Sequence, residues 1–140
     1  MLRRFALTAA ASVAALAALP ATAQATAPTA APTDRLTVTV TDSGGEGDGT
    51  YELNCHPTGG THPNAAEACA RLDEVTVWGT DPFAPVPPDS MCTMQYGGPA
   101  TAHITGTWQG RPVDATYDRS NGCEISRWDG LVPVLPATSA

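Results

Sequence analysis

The sequence contains no lysine, and its seven arginines face 14 aspartates and glutamates. Nucleic acids and anionic lipid surfaces are bound through a basic footprint, so an acidic, lysine-free chain is excluded from those partners. No Cys-x-x-Cys spacing occurs among the four cysteines, which argues against a thioredoxin-like redox pair or a zinc ribbon. No Gly-x-Ser-x-Gly elbow occurs, so the most recognisable hydrolase nucleophile is missing. The uncharged apolar run Phe5–Leu19 spans 15 residues, short of the about 20 that a membrane-crossing helix needs. Beyond that run only seven aromatic residues remain, Tyr51, Trp78, Phe83, Tyr96, Trp108, Tyr117 and Trp128. A core built from these with Val, Leu and Ala is modest, and a domain of this size gains from cross-links.

What is present begins with a targeting pattern. Arg3 and Arg4 precede the apolar run, Pro20 breaks it, and Ala21-Thr22-Ala23-Gln24-Ala25 follows. A charged start, a short greasy middle and an Ala-x-Ala end predict a secretory signal peptide over residues 1–25, cleaved after Ala23 or Ala25. Two arginines leave with it, so the remainder carries five basic and 14 acidic groups, net −9. That charge favours solubility and resists self-association. Residues 26–34, mostly Ala, Thr and Pro, read as a disordered arm. Residues 35–136 are left as one extracellular domain of ordinary size.

Cys55, Cys69, Cys92 and Cys123 are an even set in an exported chain and predict two disulfides, with three connectivities open. Sequential pairing is the choice taken. The chain-entropy model gives it about 3 kcal/mol for the first loop and about 3.7 kcal/mol for the second.

Leu36–Thr41 alternates apolar and polar residues and predicts a strand burying Leu36, Val38 and Val40. After a Gly/Asp tract, Thr50–Cys55 alternates again as its antiparallel partner. Pro63–Leu72 predicts a short helix, with proline at the first position and four alanines behind it. Val75–Trp78 reads as a short strand. Four prolines in Asp81–Pro88 exclude regular structure and predict an extended approach to Cys92. Thr101–Trp108 and Val113–Tyr117, joined at Gln109-Gly110, form the clearest hairpin. Leu131–Leu135, interrupted by Pro133, reads as a last edge strand. The fold class is therefore α+β, a five-stranded antiparallel sheet with one or two short helices and two disulfides.

Candidate catalytic and metal-binding groups give little. His56, His62 and His103 stand without a recognisable serine partner. Cys55, His56, His62 and Cys69 fall within 15 residues, but zinc would need reduced thiols and export opposes that. Gly44–Asp48 faintly resembles a calcium-binding glycine repeat, yet occurs once. Asp73 and Glu74 are adjacent, a poor geometry for acid–base work. No cofactor, metal or enzymatic activity is expected.

The informative segment is Asp89–Pro99, a loop carrying Met91, Met94 and Tyr96. Large apolar side chains on a surface loop mark a binding site; the competing reading is a buried turn with methionine as filler. In an extended chain Met91, Thr93 and Gln95 alternate with Cys92, Met94 and Tyr96. Cys92 would then point to the body, bolted through Cys123, while Met91 and Thr93 point outward. A strand held extended adds to a partner's cleft at little further entropic cost. Proteases bind substrates in that form, so the loop suits a protease blocker.

These residues resemble the Streptomyces subtilisin inhibitor family. The matching pieces are Leu36-Thr37-Val38-Thr39-Val40, Cys55-x-Pro57, Gly60-Thr61-His62-Pro63, Ala68-Cys69-Ala70, Met91-Cys92-Thr93-Met94, Tyr96, Trp108-Gln109-Gly110 and Asn121-Gly122-Cys123-Glu124, in the family's order. The resemblance implies five antiparallel strands, two short helices, a homodimer across the sheet, and the disulfides Cys55–Cys69 and Cys92–Cys123. It implies a subtilisin-like serine protease as partner and Met94–Gln95 as the reactive bond. It further implies Met91, Thr93 and Tyr96 as protease contacts, with Asn121 bracing the loop. Two departures stand out: the family commonly has proline where Thr93 stands, and Val75–Pro88 does not follow the family pattern, which unsettles the second helix. The alternative function is a secreted, sheet-rich binding module without a protease target.

Overall fold

The computed structural model describes residues 33–138 and six isolated earlier positions, Ala10, Ser12, Ala17, Ala18, Pro20 and Ala21. Most of the expected leader and arm lies outside the described residues; Asp34, assigned to the arm, instead opens the first strand. Four strands and two helices follow among the described residues: β1 (Asp34–Thr41), β2 (Gly49–Cys55), α1 (Ala65–Val75), β3 (Thr101–Trp108), β4 (Arg111–Tyr117) and α2 (Gly122–Asp129). The strands form one antiparallel sheet in the order β2-β1-β3-β4. No helix among the described residues is long and apolar enough to cross a membrane.

The period-2 pattern sets the core. Leu36, Val38, Val40 and Leu53 share one buried face with Ala102, Ile104, Trp108, Val113, Ala115 and Tyr117. Helix α1 adds Ala68, Cys69 and Leu72 to this core, and α2 adds Trp128. Burying a large apolar side chain contributes about 1.5–3 kcal/mol. The opposite face carries Thr37, Thr39, Thr105 and the pair His103–Asp114 at 2.6 Å. Cys55–Cys69 ties α1 to the end of β2, with Cα atoms 5.7 Å apart.

The expected fifth strand is not formed. Two segments had suggested strands. At Val75–Trp78, α1 runs on through Val75, and both the backbone N–H and the hydroxyl of Thr76 bond back to the Leu72 carbonyl. A turn then closes with Thr80 N–H on the Val77 carbonyl. Leu131, Val134 and Leu135 are buried, as their apolar character suggests, but their backbone makes successive turns that bond within residues 128–135. The apolar signal there reports burial without a ladder partner. The second helix lies at Gly122–Asp129, away from Val75–Pro88, and starts because the Asn121 side chain caps Glu124 N–H at 3.0 Å.

His56 joins three elements. Its Nδ1–H donates to Asp34 Oδ2 at 2.6 Å and its Nε2–H to Asp73 Oδ2 at 3.1 Å, while the ring leans on Trp108. Carboxylates only accept, so both ring nitrogens hold protons, and the bonds to Asp34 and then Asp73 raise the His56 pKa above 6.5. At Asp34 burial pushes upward, but bonds from His56 and from Gln109 N–H outweigh it and leave the pKa below 3.8. The His56 contribution is full below pH 6.5 and fades as pH rises through its raised value; that of Asp34 is full above pH 3.8 and fades as pH falls through its lowered value. His56→Gln is therefore expected to cost about 0.5–1 kcal/mol near pH 6, a figure discounted for the ring's exposure. The gap should close toward alkaline pH in urea titrations. A gap independent of pH would remove ion pairing as its cause.

Candidate functional site

The approach to the loop is fastened before the loop begins. Asp81 Oδ1 accepts Phe83 N–H at 2.9 Å, and Tyr117 donates its hydroxyl proton to the Pro82 carbonyl at 3.0 Å. Burial of that phenol pushes its pKa up to about 12, so it remains a donor. Arg127 lies 3.8 Å over the Tyr117 ring and donates to the carbonyls of Phe83, Ala84 and Thr116. A proline-rich segment offers few N–H groups, so anchoring through its carbonyls is the available chemistry. Ser90 N–H closes the approach on the Pro87 carbonyl.

From Ser90 to Gly98 the chain runs without a turn or bend. Cys92 is joined to Cys123 in α2, with Cα atoms 5.2 Å apart. One residue on, the Thr93 carbonyl accepts Gly122 N–H at 3.0 Å. Gly122 lies close against Thr93: a Cβ there would require the exposed Thr93 Oγ1 to turn aside. At the far end Gly97 N–H donates to the Arg119 carbonyl at 2.7 Å, and Arg119 Nε–H donates to the Gly97 carbonyl at 3.1 Å. Between these anchors, among the described residues, the backbones of Met94, Gln95 and Tyr96 make no bond to the rest of the protein backbone.

The side chains in this span face water. Met91 is 98% exposed, Met94 94% and Tyr96 68%. Burial of the methionines as core filler is therefore overturned. So is strict alternation: Met94 and Tyr96 do not turn inward with Cys92, because only Cys92 has a covalent partner in the body and the span beyond Thr93 stands clear of it. Thr93 and Gln95 are exposed too. Asn121 does not hydrogen-bond the loop; its side-chain oxygen is used as the cap of α2, and the bond to the loop comes from its neighbour Gly122. Disulfide pairing follows the sequential choice.

The cysteine–histidine metal candidate falls apart. Cys55 and Cys69 are consumed in a disulfide, and among the described residues no cluster of His, Cys, Asp or Glu is arranged for a metal ion. His62 is buried, with Nε2–H donating to the Val134 carbonyl and Nδ1 accepting Asn64 N–H. Sequence pattern does not single out Arg119 or Arg127, and it gives no anchoring role to Gly97 or Gly122. The one available signal for the two arginines was the scarcity of cations in a lysine-free chain, which puts two of its seven arginines in the 11 residues after Tyr117.

A site of this form presents an exposed methionine on an extended segment anchored at both ends. Comparison with known proteins gives it a context. The family model described as subtilisin inhibitor-like matches residues 27–121. Subtilisin inhibitor-like protein 1 of Streptomyces cacaoi is 39% identical over 80 residues, covering 54% of this chain and 68% of that one. Protease inhibitor SIL-V5 of Streptomyces luteoverticillatus is 33% identical over 81 residues, covering 57% and 73%. The solved structure of Streptomyces caespitosus sermetstatin in complex with Bacillus licheniformis subtilisin is 25% identical, covering 71% and 96%, with a TM-score of 0.43. The chain belongs to the subtilisin inhibitor-like family, a family of protease inhibitors and not of enzymes.

Proposed function

We propose that this chain is a secreted inhibitor of subtilisin-like serine endopeptidases, with Met94–Gln95 as its reactive bond. The observation that carries the reading is the pairing of a 94% exposed Met94 with fixed points on either side, Cys92–Cys123 and Gly97–Arg119. Met94 fills the first pocket of the protease; Met91, Thr93 and Tyr96 contact flanking subsites. An unbranched apolar side chain suits the apolar first pocket of subtilisin-like and chymotrypsin-like enzymes, whereas trypsin's pocket holds a carboxylate. The free backbone groups of Met94–Tyr96 supply the strand pairing that a protease cleft offers.

Inhibition follows from retention. The protease serine oxygen attacks the Met94 carbonyl carbon, the bond to Gln95 breaks, and the Gln95 nitrogen leaves with a proton as an amine. Ordinarily that amine diffuses away and water hydrolyses the acyl ester. Here the nick falls between β1-β2-α1 and β3-β4-α2, and β1 and β3 are central neighbours paired from Arg35↔Thr107 to Thr41↔Thr101. The two pieces stay together, and Cys92–Cys123 joins them covalently. The amine remains beside the ester and re-attacks it, expelling the serine, so religation competes with water. Export with cleavage after Ala23 or Ala25, a domain over 35–136 and a homodimer across the threonine-bearing sheet face belong to the same reading.

Titration against subtilisin tests it. Stoichiometric inhibition is expected. Prolonged incubation with catalytic enzyme at mildly acidic pH should give a single nick with a new N-terminus at Gln95. Scattered cuts without inhibition would instead favour a sheet-rich binding module.

A further inference from the structure

We infer that Arg119 is the positioning residue that holds the amine side of the reactive bond in register for religation, an inference that rests on the inhibitory reading above. The two sides of Met94–Gln95 are anchored differently. On the acyl side Cys92, two residues from Met94, is covalently fixed, and Thr93 is held by Gly122. On the amine side no covalent staple exists among the described residues. Its first fixed point is Gly97, two residues beyond Gln95, and both polar backbone atoms of Gly97 are engaged by Arg119.

Arg119 is built to be immobile. Its side chain is 4% exposed, Nη1 pairs with Asp129 Oδ1 at 2.7 Å, and the guanidinium lies 5.8 Å from the Trp128 ring. Gly97 lies close against it: a Cβ there would meet Ile125 Cγ1 at 2.8 Å and Arg119 Cβ at 3.1 Å. A planar guanidinium can aim Nε–H at one carbonyl while Nη1 serves a carboxylate, a division that a lysine ammonium does not reproduce. Arg119, Asp129 and Trp128 all lie downstream of the nick, on the same piece as the new amine. The anchor therefore survives cleavage, and Gln95 keeps a tether of only two residues. Restricting the amine in this way raises its effective concentration at the ester.

Arg119→Lys tests the assignment. The initial association with subtilisin, made by the still intact loop, is expected to stay within about twofold of wild type. The nicked fraction at equilibrium, and the rate at which inhibition is lost, are expected to rise about tenfold, the effect of one charge-assisted hydrogen bond. An unchanged nicking equilibrium overturns the assignment and leaves the inhibitory reading standing. So does an initial association that falls in step with nicking, because that marks a merely structural residue. A wild-type chain that neither inhibits nor is nicked at Met94–Gln95 overturns both. Hydrogen exchange on the wild-type protein gives a second measurement that needs no variant: Gly97 N–H should be protected in intact and nicked forms alike, while Gln95 and Tyr96 exchange freely. Loss of Gly97 protection on nicking overturns the role of Arg119.

Discussion

Met94→Asp is expected to abolish subtilisin inhibition and leave the fold untouched. Met94 is 94% exposed and joins no part of the core, so its replacement removes nothing that folding depends on. Surface changes of this kind stay within about 0.5 kcal/mol of wild type, and the melting temperature should hold to within about 4 °C. Binding is another matter. The methionine loses a burial contribution of about 1.5–3 kcal/mol in the protease pocket. The new carboxylate must leave water for an apolar site without a partner, at a cost of several kcal/mol more. Together they weaken inhibition by about a thousandfold or more. Titration against subtilisin beside a thermal melt separates the two effects. A large fall in melting temperature would place Met94 in the fold's packing, and undiminished inhibition would put the reactive bond elsewhere. Met94→Lys has the same silent effect on stability but redirects the loop toward trypsin-like enzymes, whose first pocket supplies the missing carboxylate.

The sheet was legible because strands with one buried face write themselves as alternation. Leu36, Val38 and Val40 in β1 and Ala102, Ile104 and Trp108 in β3 are buried on one face as the pattern requires. The exposed loop was legible for a different reason: Met91, Met94 and Tyr96 are the wrong side chains for a proline- and glycine-flanked loop unless something else covers them, and all three are exposed. Three features were not legible. Val75–Trp78 has the composition of a strand, but the alanine-rich helix ahead of it is already nucleated and extends to Val75 because continuation adds a bond per residue fixed. Leu131–Leu135 is apolar because it covers the core, and composition does not report whether an apolar segment has a ladder partner. Helix α2 carries a cap signal, Asn121 with Glu124 three residues on, yet its eight residues bury only Trp128 fully and so show little periodicity. The loop-bracing role of Asn121 follows from the family resemblance alone, and here its side-chain oxygen is taken up by the Glu124 N–H of α2.

The amine-side anchor was also invisible, for a reason general to such sites. Arg119 and Gly97 are 22 residues apart and meet through backbone atoms, which every residue carries. Sequence pattern reports side-chain character, and a contact that uses one guanidinium and three main-chain groups leaves almost no trace in it. The Cys92–Cys123 disulfide left a trace because an even set of cysteines without a metal or redox spacing has few roles other than pairing.

Removing that disulfide is expected to convert the inhibitor into a substrate. Cys92→Ser with Cys123→Ser opens a loop closed across a sequence separation of 31, which the chain-entropy model values at about 3.7 kcal/mol of stability. The loss of function should exceed what that figure suggests. Without the bridge, the acyl side of Met94 is held near α2 through the single bond from Gly122 N–H to the Thr93 carbonyl. Such a bond contributes only about 0.5–1.5 kcal/mol, too little to keep ester and amine aligned while water has access. The lifetime of the inhibited complex should fall by about a hundredfold, as loss of proximity predicts, with most molecules ending cut at Met94–Gln95. The matched control is Cys55→Ser with Cys69→Ser. That pair loses about 3 kcal/mol by the same model, but its bridge fastens α1 to β2, away from the reactive segment. Its folded molecules should inhibit for as long as wild type. Measuring complex lifetime and urea midpoint for both double variants separates stability from retention. Equal lifetimes in the two would show that the bridge at Cys92 acts only by stabilising the fold, and the retention mechanism would then have to rest on β1–β3 pairing and the Gly97 anchor.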